Sequence, residues 1–211
     1  MRPAALLLDL DGTLVDSEAI HRRGYAAFFA HRGWDVPDLS IFTGRRAEDV
    51  FATVTGPWTG LDPQALHAEA LPFVPADPPV AVPGAVALLE AARNAGVPVG
   101  VVTSAGPAWV ERSLTEALDR SDAVAEIVTA DDVVDGKPDP TGYALACERL
   151  GVAPASAVAV EDSPAGVRAA RGAGVRRVHG VATTHAAEQL REAGAAAVHA
   201  DLTPLPELLG L

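Results

Sequence analysis

Cysteine and long apolar runs are nearly missing from this 211-residue chain. The single cysteine, Cys147, excludes a disulfide within the chain and favours a reducing compartment. No stretch reaches the roughly 18 apolar residues that a membrane helix needs. Asp9 and Asp11 interrupt the apolar N-terminal stretch before it attains the length of a signal-peptide core. We therefore expect a cytoplasmic protein, with a monomer as the default state.

Positive charge and aromatic residues are also scarce. The formal net charge is -12, and only 5% of the residues are aromatic. A broad acidic surface repels nucleic-acid phosphates and anionic membranes, so neither is an expected partner. Because the same surface repels anionic metabolites, a phosphate site here must bring its own positive charge, from a cation or from directed N–H groups.

Lysine is the scarcest basic residue. Fifteen arginines accompany one lysine, Lys137, which lies in the segment DGKPDP. A single exposed lysine needs no explanation, whereas a compact ammonium inside a site has a role that arginine cannot imitate. Composition alone does not separate these two interpretations.

What is present is an alternation of apolar runs and helical patterns. The pattern predicts strands at 6–10, 97–102, 127–128, 157–160, 175–181 and 196–198, and helices at 83–96, 107–118, 139–150, 163–174, 184–193 and 205–209. Strands that alternate with helices indicate an α/β fold. We predict a Rossmann-like parallel sheet with helices on both faces.

The segment 16–79 differs, because it shows helical patterns and no convincing strand. Helices are predicted near 17–32, 47–54 and 63–70, and the proline-rich segment 75–84 reads as a return linker. We therefore predict two parts: an α/β core formed by 1–15 and 80–211, and a small helical cap domain, residues 16–79, inserted after the first strand.

Polar residues follow three of the predicted strands: Asp9 and Asp11, Thr103 and Ser104, and Glu161 and Asp162. Ligands of open parallel sheets bind beyond the carboxyl ends of the strands. Hydroxyl and backbone N–H groups at the second pair suit an anion, although a turn that caps a helix explains that pair equally well. Carboxylates that converge without cysteine or histidine favour a hard cation, Mg²⁺ rather than Zn²⁺.

The order of these motifs resembles the haloacid dehalogenase superfamily over essentially the whole chain. The segments that carry the resemblance are LLLDLDGTLVDSE, VVTSAG, DGKPDPTGY and AVEDSPAGVRAARGAG. Within the superfamily, the chain is most similar to the β-phosphoglucomutase-like group, and particularly to its sugar-phosphate and glycerol-phosphate phosphatases. The resemblance implies a phosphatase that acts on a small phosphorylated metabolite.

The resemblance also implies roles for the motif residues. Asp9 matches the nucleophile that forms an aspartyl-phosphate, and Asp11 matches the general acid/base. Thr103 and the N–H of Ser104 would hold the phosphoryl oxygens, while Lys137 would pair with the nucleophile and the phosphoryl group.

Mg²⁺ would be held by Asp9, the backbone carbonyl of Asp11, Glu161 and Asp162. The cation and the lysine would together offset the repulsion between a carboxylate and a phosphate dianion.

The cap loop TGRRAEDV, residues 43–50, resembles that of the phosphatases. Arg45 or Arg46 is a candidate to reach the substrate, while a solvated helix start is the simpler interpretation of Glu48 and Asp49. His21 is a candidate neighbour of Asp11.

The tryptophans and Tyr143 are interpreted as packing residues. One sequence does not show which cap residues face the site, so any C3–C6 sugar or polyol phosphate stays open as the substrate.

Four alternative functions remain to be weighed against a phosphatase. Dehalogenases of the superfamily do not use the second aspartate or the metal, so Asp11 argues against that function. Phosphonate hydrolysis needs a lysine in the cap, which has none. A β-phosphoglucomutase is the closer rival. The similar mutases carry a lysine where this chain has Thr43 and a phosphate-binding arginine at Ala47, although Arg45 and Arg46 could substitute. A non-catalytic binding protein would be expected to have lost Asp9 or Lys137.

Overall fold

The computed structural model describes residues 2–35 and 38–211. Its strands are β1 (Leu6–Leu8), β2 (Val15–Asp16), β3 (Val80–Ala81), β4 (Val99–Val102), β5 (Glu126–Val128), β6 (Val158–Glu161), β7 (Arg177–Val181) and β8 (Ala197–His199). Its α-helices are α1 (Glu18–His31), α2 (Ala47–Thr53), α3 (Pro63–Ala70), α4 (Ala85–Asn94), α5 (Pro107–Arg112), α6 (Thr141–Arg149), α7 (Pro164–Gly172), α8 (Ala187–Glu192) and α9 (Leu205–Leu209).

A six-stranded parallel sheet forms the centre of the molecule, in the order β5-β4-β1-β6-β7-β8. Its central strands are apolar on both faces because helices cover both sides. Along β1, Leu6 and Leu8 pack into one hydrophobic cluster, and Leu7 packs into the cluster on the opposite face. This alternation follows from the two-residue period of a strand. The predicted α/β fold class, with a helical cap after the first strand, is confirmed.

The register of the central strands aligns their carboxyl ends. Leu8 of β1 lies beside Val101 of β4 and Val160 of β6. The residues that follow these strands therefore emerge along one edge of the sheet, where ligands of such sheets bind.

The helices α1, α2 and α3 pack around a hydrophobic cluster of their own, which explains where the few aromatic residues are used. All five phenylalanines lie in this cluster or against it, together with Trp34 and Trp58. Stacked and edge-on rings pack densely with few residues. The α/β core, by contrast, is filled mainly by alanine, valine and leucine.

The sequence pattern missed a short ribbon at the base of the cap. Strands β2 and β3 pair antiparallel, with Val15 opposite Ala81 and Asp16 opposite Val80. Two-residue strands are too short to produce an alternation signal. The ribbon brings the chain into and out of the cap side by side, close to the predicted boundaries at 16 and 79, which stay a prediction.

Two helix starts differ from the prediction. Pro140, rather than Asp139, is the N-cap of α6, and the Asp139 carboxylate accepts from the N–H of Thr141 at 2.9 Å. Helix α8 begins at Ala187, so Thr184 lies in the preceding turn. Among the described residues, no helix combines the length and apolar character needed to cross a membrane.

Candidate active site

The only lysine of the chain lies at the centre of the carboxylate cluster. Lys137 is 8% exposed, and its Nζ lies 2.5 Å from Asp9 Oδ1 and 2.5 Å from Glu161 Oε1. It also donates to the carbonyl of Val102 at 3.0 Å. Burial would lower the pKa of Lys137, but the two carboxylates raise it overall, so the side chain stays an ammonium.

Glu161 is held by several donors besides the lysine. The hydroxyl of Tyr143 donates to Oε1 at 2.9 Å, and the hydroxyl of Ser163 donates to Oε2 at 3.1 Å. The carboxylate is fully buried. Gly166 permits this burial, because a Cβ at that position would meet the Glu161 carboxyl atoms at 1.8–2.1 Å. Glu161 is thereby fixed in orientation toward Lys137.

Asp162 is 1% exposed and faces the first loop of the core. Thr184 donates to Oδ2, and Thr13 lies 3.5 Å from Oδ1. Gly12 has a φ of +83°, and a Cβ there would lie 2.2 Å from Asp162 Oδ2. The glycine therefore provides both the turn and the space for this carboxylate.

Asp9, Glu161 and Asp162 form a group able to hold a metal ion. One carboxylate oxygen from each lies within 4.8 Å of the others. Burial raises the pKa of Asp9 to about 7; the charge of Lys137 lowers this pKa, and the charge of Glu161 raises it. Burial, then Asp9 and Glu161, raise the pKa of Asp162. Three buried carboxylates beside one ammonium leave excess negative charge, which a divalent cation with oxygen ligands would offset.

Asp11 lies apart from that group and receives hydrogen bonds from three side chains. Ser17 Oγ lies 2.5 Å from Oδ1, Trp109 Nε1 lies 2.8 Å from it, and His21 Nε2 lies 3.4 Å from it. Burial would raise the pKa of Asp11, but the pKa is lowered overall. The hydrogen bond and the charge of His21 lower it most, followed by the hydrogen bonds from Ser17 and Trp109. The pKa of His21 is raised by Asp11 despite burial.

Thr103 ends β4 and is 5% exposed. Its hydroxyl accepts from the N–H of Ala105 at 3.0 Å, which is the turn-capping interaction weighed at the start. The hydroxyl proton is still free to be donated toward the site. Thr103 and Ser104 both line the cavity described next.

A cavity of about 520 Å³ separates the cap from the carboxylate cluster. Its walls include core residues of the cluster and the following cap residues: Glu18, His21, Arg22, Tyr25, Phe42, Thr43, Arg45, Arg46, Glu48 and His67. A phosphorylated ligand in this space would contact the core through its phosphate and the cap through the remainder.

The two candidate arginines of the cap have different partners. Arg45 donates to Thr53 Oγ1 of the cap at 2.9 Å. Arg46 donates to the core instead, to the carbonyls of Ala130, Val133 and Val134, the last two at 3.2 and 2.9 Å. Arg46 therefore joins the cap to the loop that precedes Lys137.

Several residues of the site gave no signal in the sequence. Tyr143 and Trp109 were assigned to packing, and both contact a carboxylate of the site. Thr184 was assigned to a helix, and Ser17 to a helix cap only. Each takes its place in the site through contacts that folding creates, and the local sequence pattern does not indicate such contacts.

The comparisons with known proteins identify the family to which the chain belongs. A model of the haloacid dehalogenase-like hydrolases matches residues 3–174. The chain is 43% identical to the validoxylamine A 7'-phosphate phosphatase of Streptomyces hygroscopicus subsp. limoneus, over 89% of each chain. It is 35% identical to hexitol phosphatase A of Escherichia coli, strain K12, over 82% of this chain and 81% of the relative.

Among solved structures, a mutant of CbbY from Rhodobacter sphaeroides in complex with xylulose-(1,5)bisphosphate superimposes with a TM-score of 0.82. It covers 96% of each chain at 27% identity. The predicted family and enzyme class are confirmed: the chain belongs to the haloacid dehalogenase-like hydrolases and is a phosphoric monoester hydrolase of their sugar-phosphatase branch.

Proposed function

We propose that the chain is a Mg²⁺-dependent phosphatase that hydrolyses a small sugar or polyol phosphate through an aspartyl-phosphate on Asp9. The observation that carries the proposal is the contact of Lys137 with both Asp9 and Glu161, beside Asp162 and below the cavity. This arrangement combines a nucleophilic carboxylate, a fixed positive charge and a group of oxygen ligands.

The donor set fits Mg²⁺. Asp9, Asp162 and the backbone carbonyl of Asp11 would hold the ion, with Glu161 as a further oxygen donor in the same group. A bound Mg²⁺ would polarise the phosphoryl oxygens and offset their charge. Glu161 already accepts from Lys137, Tyr143 and Ser163, so orienting the lysine is a second role for it.

In the first step, an oxygen of Asp9 attacks phosphorus, and the bond to the leaving oxygen breaks. Asp11 gives its proton to that oxygen. Asp11 is protonated before the transfer because the negative charge of a bound phosphate dianion disfavours a carboxylate nearby. Lys137 stays paired with the phosphoryl group, and Thr103 and the N–H of Ser104 bind its oxygens. In the second step, Asp11 takes a proton from water, which attacks the aspartyl-phosphate and releases phosphate.

The substrate class is supported by the relatives and by the cavity. The curated relatives are named for validoxylamine A 7'-phosphate and for hexitols, and CbbY binds xylulose-(1,5)bisphosphate. A cavity of about 520 Å³ has room for a phosphorylated sugar or polyol.

The contacts of the cap arginines favour a phosphatase over a phosphoglucomutase. A mutase needs a second phosphate site in the cap. Arg46 is bound to core carbonyls, and Arg45 is bound to Thr53. A mutase would convert β-glucose 1-phosphate to glucose 6-phosphate when glucose 1,6-bisphosphate is supplied; we expect phosphate release and no such conversion.

The test is phosphate release from a panel of sugar and polyol phosphates, with Mg²⁺ and with a chelator. We expect turnover of at least one member in Mg²⁺ only, and none by Asp9→Asn. Asp119→Asn, a change of a carboxylate whose side chain is 97% exposed and lies outside the cavity walls, is the matched control and should retain activity. Turnover by Asp9→Asn at the wild-type rate would exclude Asp9 as nucleophile.

A further inference from the structure

The hydrogen bonds to Asp11 are strongly one-sided. Within the described part of the chain, Ser17, His21 and Trp109 all direct their donors at Oδ1. Oδ2 is therefore the oxygen that carries the proton toward a substrate. A carboxyl group held by one oxygen has little freedom to turn, so these donors set the direction in which Oδ2 points.

Trp109 differs from the other two donors in where it comes from. Ser17 and His21 lie 6 and 10 residues from Asp11, at the start of the cap. Trp109 lies 98 residues away on α5, the core helix that follows Thr103. Its indole N–H therefore ties the carboxyl group to the core, whatever position the cap takes.

The indole ring is itself held on several sides. The His21 ring lies 4.9 Å from it, at an interplanar angle of 59°. The Arg112 guanidinium lies 5.7 Å from the ring centre. The ring also packs against the hydrophobic cluster on one face of the sheet, beside the buried Val110 of the same helix. These contacts fix the N–H direction, as a positioning donor requires.

We propose that Trp109 is a positioning residue for the general acid, whose N–H holds Asp11 with Oδ2 facing the leaving oxygen and stabilises the carboxylate formed after proton transfer. The inference rests on the proposed function. As Asp9 bonds to phosphorus and the ester P–O bond breaks, the Oδ2 proton moves to the leaving oxygen. The electron pair of the O–H bond stays on Asp11, where the Oδ1 donors bind the new charge.

This role predicts a dependence on the leaving group. An alkoxide leaves poorly and needs the proton during bond breaking, whereas p-nitrophenolate leaves readily without one. Loss of the Trp109 N–H, which donates to Asp11, should therefore slow cleavage of an alkyl ester. It should slow cleavage of an aryl ester only slightly. A residue with a purely structural role would slow both equally.

The experiment compares kcat/KM of wild type and Trp109→Phe for p-nitrophenyl phosphate and for the best alkyl phosphate among glycerol 3-phosphate, glucose 6-phosphate and sorbitol 6-phosphate. This parameter reports the steps up to the first irreversible one, which includes leaving-group departure. We expect a loss of about tenfold on the alkyl ester and less than about threefold on the aryl ester. Benzothienylalanine at position 109 keeps the ring shape without the N–H and should give the same ratio.

Trp58→Phe is the matched control. Trp58 is buried in the cap cluster, outside the cavity walls, and its N–H donates to the Val54 carbonyl at 2.8 Å. This change should leave the ratio of alkyl to aryl activity at the wild-type value. Equal losses on both esters in the two position-109 variants, or no loss in either, would overturn the proposal. A wild type that cleaves neither ester would instead refute the proposed function.

Discussion

At the scale of single residues, Lys137 accounts for more of the site than any other side chain. It is the only lysine among sixteen basic residues, and its Nζ contacts Asp9, Glu161 and the Val102 carbonyl. A guanidinium is larger and planar, so the same three acceptors cannot be satisfied in a pocket that leaves the side chain 8% exposed.

We expect Lys137→Arg to reduce kcat by at least about 100-fold, because the positive charge would be displaced from Asp9, the proposed nucleophile, and from the phosphoryl oxygens. Steady-state kinetics with p-nitrophenyl phosphate measures the loss, and circular dichroism checks folding. The reverse exchange Arg149→Lys, at a partly exposed pair with Asp132 that does not line the cavity, is the control. A wild-type kcat in Lys137→Arg would show that the site needs only a positive charge, and not the compact shape of the ammonium group.

The carboxylates that sequence reasoning identified share one property: they occur as adjacent or near-adjacent pairs at the ends of apolar strands. Asp9 with Asp11 and Glu161 with Asp162 are visible for that reason. Trp109 and Thr184 are single residues whose contacts span 98 and 22 positions. A contact between distant positions depends on how the helices pack, so the local sequence pattern does not predict it. The roles of all these residues stay predictions.

At the scale of elements, Arg46 makes one of the contacts that join the cap to the core. Arg46, the N-cap of α2, donates to carbonyls of the loop 130–134. Gly136 allows the approach, since a Cβ there would lie 2.4 Å from Arg46 Cδ. The same segment continues to Lys137, so Arg46 contacts the stretch of chain that leads to the lysine.

We expect Arg46→Ala to raise KM by about tenfold. Each hydrogen bond lost from a charged donor costs about 1.5–3 kcal/mol, and water that binds to the freed carbonyls recovers part of this cost. Amide hydrogen exchange in residues 130–137 should become faster in the ligand-free protein. Arg32→Ala, which removes a pair with Glu69 within the cap, is the control for exchange in that loop. A higher KM with unchanged exchange would mean that Arg46 binds substrate rather than the core.

Strands β7 and β8 carry a histidine pair away from the cavity, with His179 Nδ1 and His199 Nε2 3.0 Å apart. Burial, His199 and Arg177 lower the pKa of His179 to about 4, and burial lowers that of His199 against the effect of Asp201. Both histidines thus stay neutral in the folded state at a pH where the unfolded chain is protonated.

The consequence for stability has a definite sign. The unfolded chain binds more protons below about pH 6.5, the ordinary value for histidine, so the free energy of unfolding falls as the pH drops from 6.5 toward 4. His179→Phe should make this fall less steep. Urea unfolding at pH 7 and pH 5 measures the difference, and equal slopes for the two proteins would contradict the prediction.

At the scale of the whole molecule, the fold was predictable and its small attachments were not. The alternation of apolar runs with helices follows from burial of both sheet faces, which confirms the predicted class. The β2–β3 ribbon was missed because each strand has two residues. Segment 184–186 was predicted as helix, although Thr184 is drawn out of helical geometry toward Asp162.

The net charge of -12 and the buried carboxylates together predict stabilisation by a divalent cation. Only folding brings these carboxylates together, so an ion that they hold would bind the folded state alone. Millimolar Mg²⁺ should then raise Tm by several degrees, at about 2–4 °C per kcal/mol. Asp162→Asn should remove most of the shift, and Glu188→Gln, an exposed carboxylate on α8, should not. Thermal scans at constant ionic strength, balanced with NaCl, separate specific Mg²⁺ binding from charge screening. An equal shift of Tm in all three proteins would contradict a metal site at Asp162.

The ribbon of β2 and β3 has a consequence for how such a hydrolase diversifies. Because the polypeptide departs for the cap and returns at paired positions, Val15 opposite Ala81, the intervening stretch is an insertion whose ends are already neighbours. Under the proposed function, phosphoryl transfer would take place at the edge of the sheet, and the inserted segment would contact the remainder of the substrate. A different insertion between the same two anchor points would then change the substrate range while Asp9, Glu161 and Asp162 keep their places in the core.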